Sequence, residues 1–100
     1  MIKTGTRLES QVCDTQVIVV SATGSLDEIR CGGVGMVVLG SAKEAGVVLD
    51  EAFTEGPALG KRYVTEDGAE VLVTKAGRGA LSVGATVLTL KEPKALPASD

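Results

Sequence analysis

Histidine is missing from all 100 residues, and that absence removes several chemistries. A Ser-His-Asp or Cys-His catalytic system cannot be built from this chain alone. A zinc site with imidazole ligands is excluded as well, and the side chain that usually titrates near neutral pH is not there. Tryptophan is also absent, and Phe53 and Tyr63 are the only aromatics. Bases therefore find no stacking platform. The core must be assembled from small aliphatic side chains, each burying less area than a ring would. Positive charge is scarce: 10 Lys and Arg stand against 13 Asp and Glu, a net charge of −3. No counterion-release term then favours nucleic acid or an anionic membrane. No apolar run approaches the ~20 residues of a membrane span. The start Met1-Ile2-Lys3-Thr4-Gly5 is too polar for the apolar stretch of a secretory signal. These features lead to the expectation of a cytoplasmic protein with reduced thiols that binds neither nucleic acid nor membrane.

What the chain does contain is an internal repeat. Val12-Cys13-Asp14-Thr15-Gln16-Val17-Ile18-Val19-Val20 returns in altered form as Val64-Thr65-Glu66-Asp67-Gly68-Ala69-Glu70-Val71-Leu72. Each copy is followed by a glycine turn (Gly24, Gly77), a short apolar strand, a second glycine turn and an apolar run. Such a repeat reports architecture before it reports function. A unit of roughly 35–40 residues has a marginal core by itself; two in one chain can bury their apolar faces against each other. Alternating and short continuous apolar runs bounded by glycine read as strands. They are placed at 7–12, 16–22, 28–30 and 34–39 in the first unit, and at 61–65, 69–75, 80–83 and 86–91 in the second. Asp67-Gly68 and Gly84-Ala85 mark tight hairpin turns. The resulting division is 1–39, an acidic linker 40–60, 61–91, and a tail 92–100 that should be extended and partly disordered. Within the linker, residues 41–45 suit one helical turn, and Val47, Val48, Leu49 and Phe53 are apolar enough to tuck in.

Each unit resembles the desulforedoxin family, the small rubredoxin-like iron proteins that also form the N-terminal domain of desulfoferrodoxin. That pattern runs aromatic, one residue, Cys-x-x-Cys, an apolar strand, a glycine turn, Cys-Cys-Gly-x-x-Met and a final strand. Cys13 falls on the first ligand position and Gln16 on the second. Cys31 and Gly32 fall on the adjacent pair, and Gly33-Val34-Gly35-Met36 matches the segment that follows. In the second unit Tyr63 matches the aromatic, Thr65 and Gly68 take the first two ligand positions, and Ser82-Val83-Gly84 covers the pair. The resemblance implies an all-β fold of two tandem units packed as a pseudo-twofold pair, mimicking the family's homodimer. It also implies an iron held by four thiolates and used in electron transfer. Only two of the four ligands survive in the first unit and none in the second, where no metal is expected.

Cys13 and Cys31 then admit four readings: buried relics; a two-thiolate iron or zinc site completed by a second chain or other ligands; a reversible disulfide; or a nucleophilic thiol, for which Arg30 is the sole neighbouring cation in sequence. All but the last start from both sulfurs facing one another, within about 4–5 Å. The glycines around Cys31 do not make a phosphate loop, since no helix and no Lys-Ser/Thr pair follows them. Lys61-Arg62 reads as strand-edge charge. The function expected is that of a non-enzymatic accessory or binding protein without a cofactor, which meets a protein partner or a second copy. The alternative is a metal-binding or redox protein using Cys13 and Cys31.

Overall fold

Valines at every second position organise the molecule. In the computed structural model, which describes residues 2–91, Val17 and Val19 of β2 (Gln16–Ser21) point into the core. Directly opposite them, across an antiparallel pairing, lie Val73 and Val71 of β7 (Glu70–Lys75). All four are at most 1% exposed. Facing β-branched pairs of this kind are the unit of sheet stabilisation, and here they join the two halves of the chain.

The remaining strands build outward from that seam. They are β1 (Arg7–Glu9), β3 (Ile29–Cys31), β4 (Val34–Gly35), β5 (Val37–Val38), β6 (Arg62–Val64), β8 (Leu81–Val83), β9 (Thr86–Val87) and β10 (Thr89–Leu90). One sheet has the order β10-β6-β7-β2-β1-β5 and the other β4-β3-β8-β9, with antiparallel pairings throughout. The protein is all-β; among the described residues the strands are joined by short 3-10 turns at Gly24–Glu28 and Glu51–Phe53. Both sheets contribute to one core, in which Ile29, Cys31 and Leu81 of the smaller sheet join the valines of the larger.

Both orders read alike from either end, with the two halves making matching pairings. The apolar runs 34–39 and 86–91 are each two strands, because each chain crosses from the smaller sheet to the larger. The crossing is made at Met36, whose N–H donates to Ile29 O (3.1 Å), and at Leu88, whose N–H donates to Leu81 O (2.9 Å). The halves differ at the connection to the third strand of each. In the first it is a 3-10 turn that buries Leu26 completely; in the second it is the bend 76–80.

Four sequence expectations shift. The first strand stops at Glu9, before Gln11 and Val12. Residues 41–45 form no helical turn; left-handed Gly40 and Gly46 bracket the segment, leaving too few residues for a helix to nucleate. Leu49 and Phe53 are half-buried as anticipated, whereas Val48 is 77% exposed. Arg62 is not strand-edge charge: β6 is an interior strand, and its guanidinium donates to buried Glu70 at 3.2 Å, beside Lys91 at 2.7 Å. The expectation for the tail 92–100 lies outside the described residues.

Leu26→Ala is expected to reduce the unfolding free energy by about 2–5 kcal/mol, as large-to-small changes in a packed core do. Val38→Ala, at a position 52% exposed, should change it by less than about 0.5 kcal/mol. Urea denaturation of both variants measures the contrast; equal effects would contradict the core assigned here.

Candidate functional site

A serine hydroxyl shapes the loop that carries the first cysteine. Ser10 Oγ accepts the backbone N–H groups of Val12 and Cys13, both at 3.1 Å, and Ser10 N–H donates to Thr15 O at 2.9 Å. This local side-chain capture diverts the backbone from the sheet ladder, ends β1 and turns Cys13 inward. Its Sγ lies 3.3 Å from both Ser10 Oγ and Thr15 Oγ1. Cys31 closes β3, is fully buried, and leads into a two-residue hairpin at Gly32-Gly33. Both glycines there have positive φ, 66° and 82°, as a tight turn whose two central residues are left-handed requires. The two sulfurs face each other at 3.6 Å, and both thiols are free.

The other half of the chain supplies the third wall. Gly79 N–H donates to Cys13 Sγ at 3.3 Å, and Gly79 O accepts from the Cys31 thiol at 3.3 Å. Only glycine fits: a Cβ there would sit 2.9 Å from Cys31 Sγ and 2.7 Å from Gly32 N. From above, the linker closes the pocket. Asp50 N–H bonds Gly32 O and Ala80 N–H bonds Phe53 O, each at 2.8 Å.

This environment separates the two thiols. Burial opposes ionisation of Cys13, but the hydroxyls of Ser10 and Thr15 and the N–H groups of Thr15 and Gly79 outweigh it, lowering the thiol to about 7. Cys31 is pushed up to about 12, first by burial and then by the negative charge that Cys13 would carry. The single Cys31 proton has two acceptors in reach, Gly79 O and Cys13 Sγ. Near neutral pH Cys13 therefore passes between thiol and thiolate, while its neighbour remains a thiol.

Sequence reasoning placed Cys13 and Cys31 correctly side by side and missed Ser10, Thr15 and Gly79. Thr15, not Gln16, reaches the pair; Thr15 lies two residues beyond Cys13, a spacing that alternation could have offered. Arg30 does not activate Cys31: it is exposed on the opposite face of β3. Gly79 is 48 residues from Cys31 and 66 from Cys13, with no local signal.

The four-thiolate iron implied by the resemblance does not fit these residues. Two thiols, two hydroxyls and a backbone amide surround the position, and tetrahedral thiolate sites normally need four anionic or imidazole ligands. Among the described residues, no three of His, Cys, Asp and Glu come together as a metal site.

The second half has a counterpart of different chemistry. Thr65 N–H donates to Ala69 O at 2.9 Å, and Thr65 Oγ1 accepts Ala69 N–H at 3.0 Å. Thr65 therefore stands in the place of Ser10 rather than of Cys13, because its loop is one residue shorter. The loop-end position is taken by Asp67, which is exposed and whose carboxylate accepts from Ser25 (2.6 Å), Thr23 (2.7 Å) and Thr65. These hydroxyl donors hold its carboxyl well below the usual range, Ser25 foremost. A cleft of about 290 Å³ opens beside it, walled by Val64, Val83 and Val87.

Comparison with family models, with curated proteins and with solved structures finds no match to this chain.

Because a thiolate is the reactive form, alkylation of Cys13 by iodoacetamide should slow about tenfold for each pH unit below 7 and level off above it. Cys31 should stay unmodified in the folded protein. A rate–pH curve with its midpoint near 8.5, the ordinary thiol value, would contradict the hydrogen-bonded thiolate. For Asp67 the folded pKa is the depressed one. Its contribution is therefore present above the unfolded value of about 4 and fades as pH falls below it. Asp67→Asn should flatten the acid limb of a Tm–pH profile; an unchanged acid limb would show the hydroxyl cage to be energetically idle.

Proposed function

We propose that Cys13 and Cys31 form a reversible dithiol–disulfide pair, and that this chain is a small accessory protein whose chemistry is stoichiometric thiol exchange. The observation that carries this reading is the asymmetry of two free sulfurs 3.6 Å apart, one held by hydrogen-bond donors and the other buried. An attacking thiol works best with a pKa near ambient pH, which matches Cys13.

The reaction balances with an external disulfide RSSR as oxidant. Cys13 thiolate attacks one sulfur of RSSR, giving a Cys13–SR mixed disulfide and releasing RS⁻. Cys31 then attacks Cys13 Sγ. Its proton passes to the second departing thiolate, so one RS⁻ and one RSH leave and the intramolecular disulfide remains. The protein is oxidised by two electrons and RSSR is reduced. Thiol exchange of this kind suits a cytoplasmic setting, where the glutathione pool keeps such a pair reduced at rest.

In this reading the matching pairings of the two halves reflect tandem descent from a desulforedoxin-like ancestor, with the metal pocket of the first unit converted to a thiol pair. The conversion is supported by the position of Cys13 and Cys31 at the two turns that the resemblance assigns to ligands.

Incubation with oxidised glutathione, followed by intact mass, tests the proposal. The wild-type chain should lose two hydrogens, Cys31→Ser should accumulate one glutathione on Cys13, and Cys13→Ser should remain unmodified. Modification of Cys13→Ser at the wild-type rate, or no change in the wild-type chain, would overturn it.

A further inference from the structure

From the second half of the chain Gly79 touches both sulfurs, and it does so with opposite polarity. Its N–H points at Cys13 Sγ and its carbonyl takes the proton of Cys31, both at 3.3 Å. Neither contact survives oxidation intact. In the disulfide, Cys31 has no S–H to donate, and Cys13 Sγ is no longer a thiolate but a weak acceptor. The sulfurs also close from 3.6 Å to about 2.05 Å, changing the surface that Gly79 packs on. We infer that Gly79 reads the redox state of the pair, so that oxidation releases the segment 76–79 from the first half of the chain.

The release is local because its boundary is anchored separately. Ala80 keeps Gly32 N–H on its carbonyl at 3.0 Å and its own N–H on Phe53 O at 2.8 Å. Neither bond involves sulfur. On the other side, β7 is held by its ladder to β2 through Lys75. Between these anchors lies a short span with Gly77, exposed Arg78 and buried Gly79. Two glycines in a row of four give it backbone freedom once the sulfur contacts are gone. Gly77 packs as closely as Gly79: a Cβ there would lie 2.7 Å from Asp14 N and 2.6 Å from Thr15 N. Loosening the span therefore also frees the loop that carries Cys13. The inference rests on the dithiol–disulfide reading and assigns it an output: a surface segment bearing one arginine that is docked when reduced and free when oxidised.

Trypsin supplies the readout, since it cleaves after Arg78 only where the backbone opens locally. Reduced and glutathione-oxidised protein are digested in parallel, with mass spectrometry recording both the loss of two hydrogens and the cleavage products. Cleavage at Arg78 should be about thirtyfold faster in the oxidised protein, the factor expected when two net hydrogen bonds are lost. Cleavage at exposed Lys43 should be unchanged. Equal Arg78 rates in a sample that mass shows to be oxidised would overturn the inference while leaving the dithiol reading standing. Failure of the disulfide to form at all would overturn both. Gly79→Ala gives a second arm: its Cβ displaces the segment in either state. Arg78 should then be cleaved quickly even when reduced, and the midpoint of Cys13 alkylation should rise toward that of an ordinary thiol. A Gly79→Ala protein with the wild-type alkylation midpoint would contradict the role of its N–H. The redox comparison on wild-type protein stands even if this variant does not fold.

Discussion

The antiparallel seam between β2 and β7 is the constraint from which the other features follow. Val17 against Val73 and Val19 against Val71 fix the register of one half on the other. A slip of one residue would turn the two valines of one strand away from those of the other. With the seam fixed, β1 and β6 add on its two sides, β3 meets β8 in the second sheet, and each half's turns are delivered to the other's loops. The chain has few aromatic side chains to fill a core, so alignment of small aliphatic ones does that work.

The thiol pair is a product of this exchange. Its cysteines and the hydroxyls of Ser10 and Thr15 beside Cys13 come from the first half, and Gly79, which bonds both sulfurs, comes from the second. At the related place in the second half the roles invert: Asp67 meets hydroxyls of Thr23 and Ser25 from the first half. The two places solve one problem, how to seat an anionic group at a loop end against a foreign turn. One uses sulfur with a backbone N–H and the other uses a carboxylate with hydroxyls. Hydrogen bonds to a charged acceptor are the stronger kind, which makes each place a staple between halves. Only the sulfur version can also lose its charge by forming a covalent bond, and so only that one can carry a redox signal.

Much of the strand layout was legible in the sequence because glycine bounded the apolar runs and the valines alternated. The limits of that reading are physical. Ser10 gives no sign in a period-two pattern, yet its hydroxyl takes two backbone N–H groups and ends β1 three residues early. The sheet crossings at Met36 and Leu88 are invisible because an apolar run looks the same whether it stays in one sheet or passes between two. At the site, the sequence brought Cys13 and Cys31 together through their place in a family-like pattern. It offered little support for nucleophilic chemistry, because the chain has no histidine and Arg30 is the sole neighbouring cation in sequence. Neutral donors supply what those residues would have done: two hydroxyls close in sequence, and the Gly79 N–H, whose approach depends on the tertiary fold.

The central claim is that two adjacent cysteines ionise in widely separated pH ranges, Cys13 near neutrality and Cys31 far above it. Carbon-13 NMR of the two cysteine β-carbons across a pH titration of the reduced protein tests it on both residues in one sample. The account predicts that the Cys13 signal moves with a midpoint near 7 while the Cys31 signal stays constant up to at least about pH 10. Two signals titrating together near 8.5, the value of an unperturbed thiol, would contradict it.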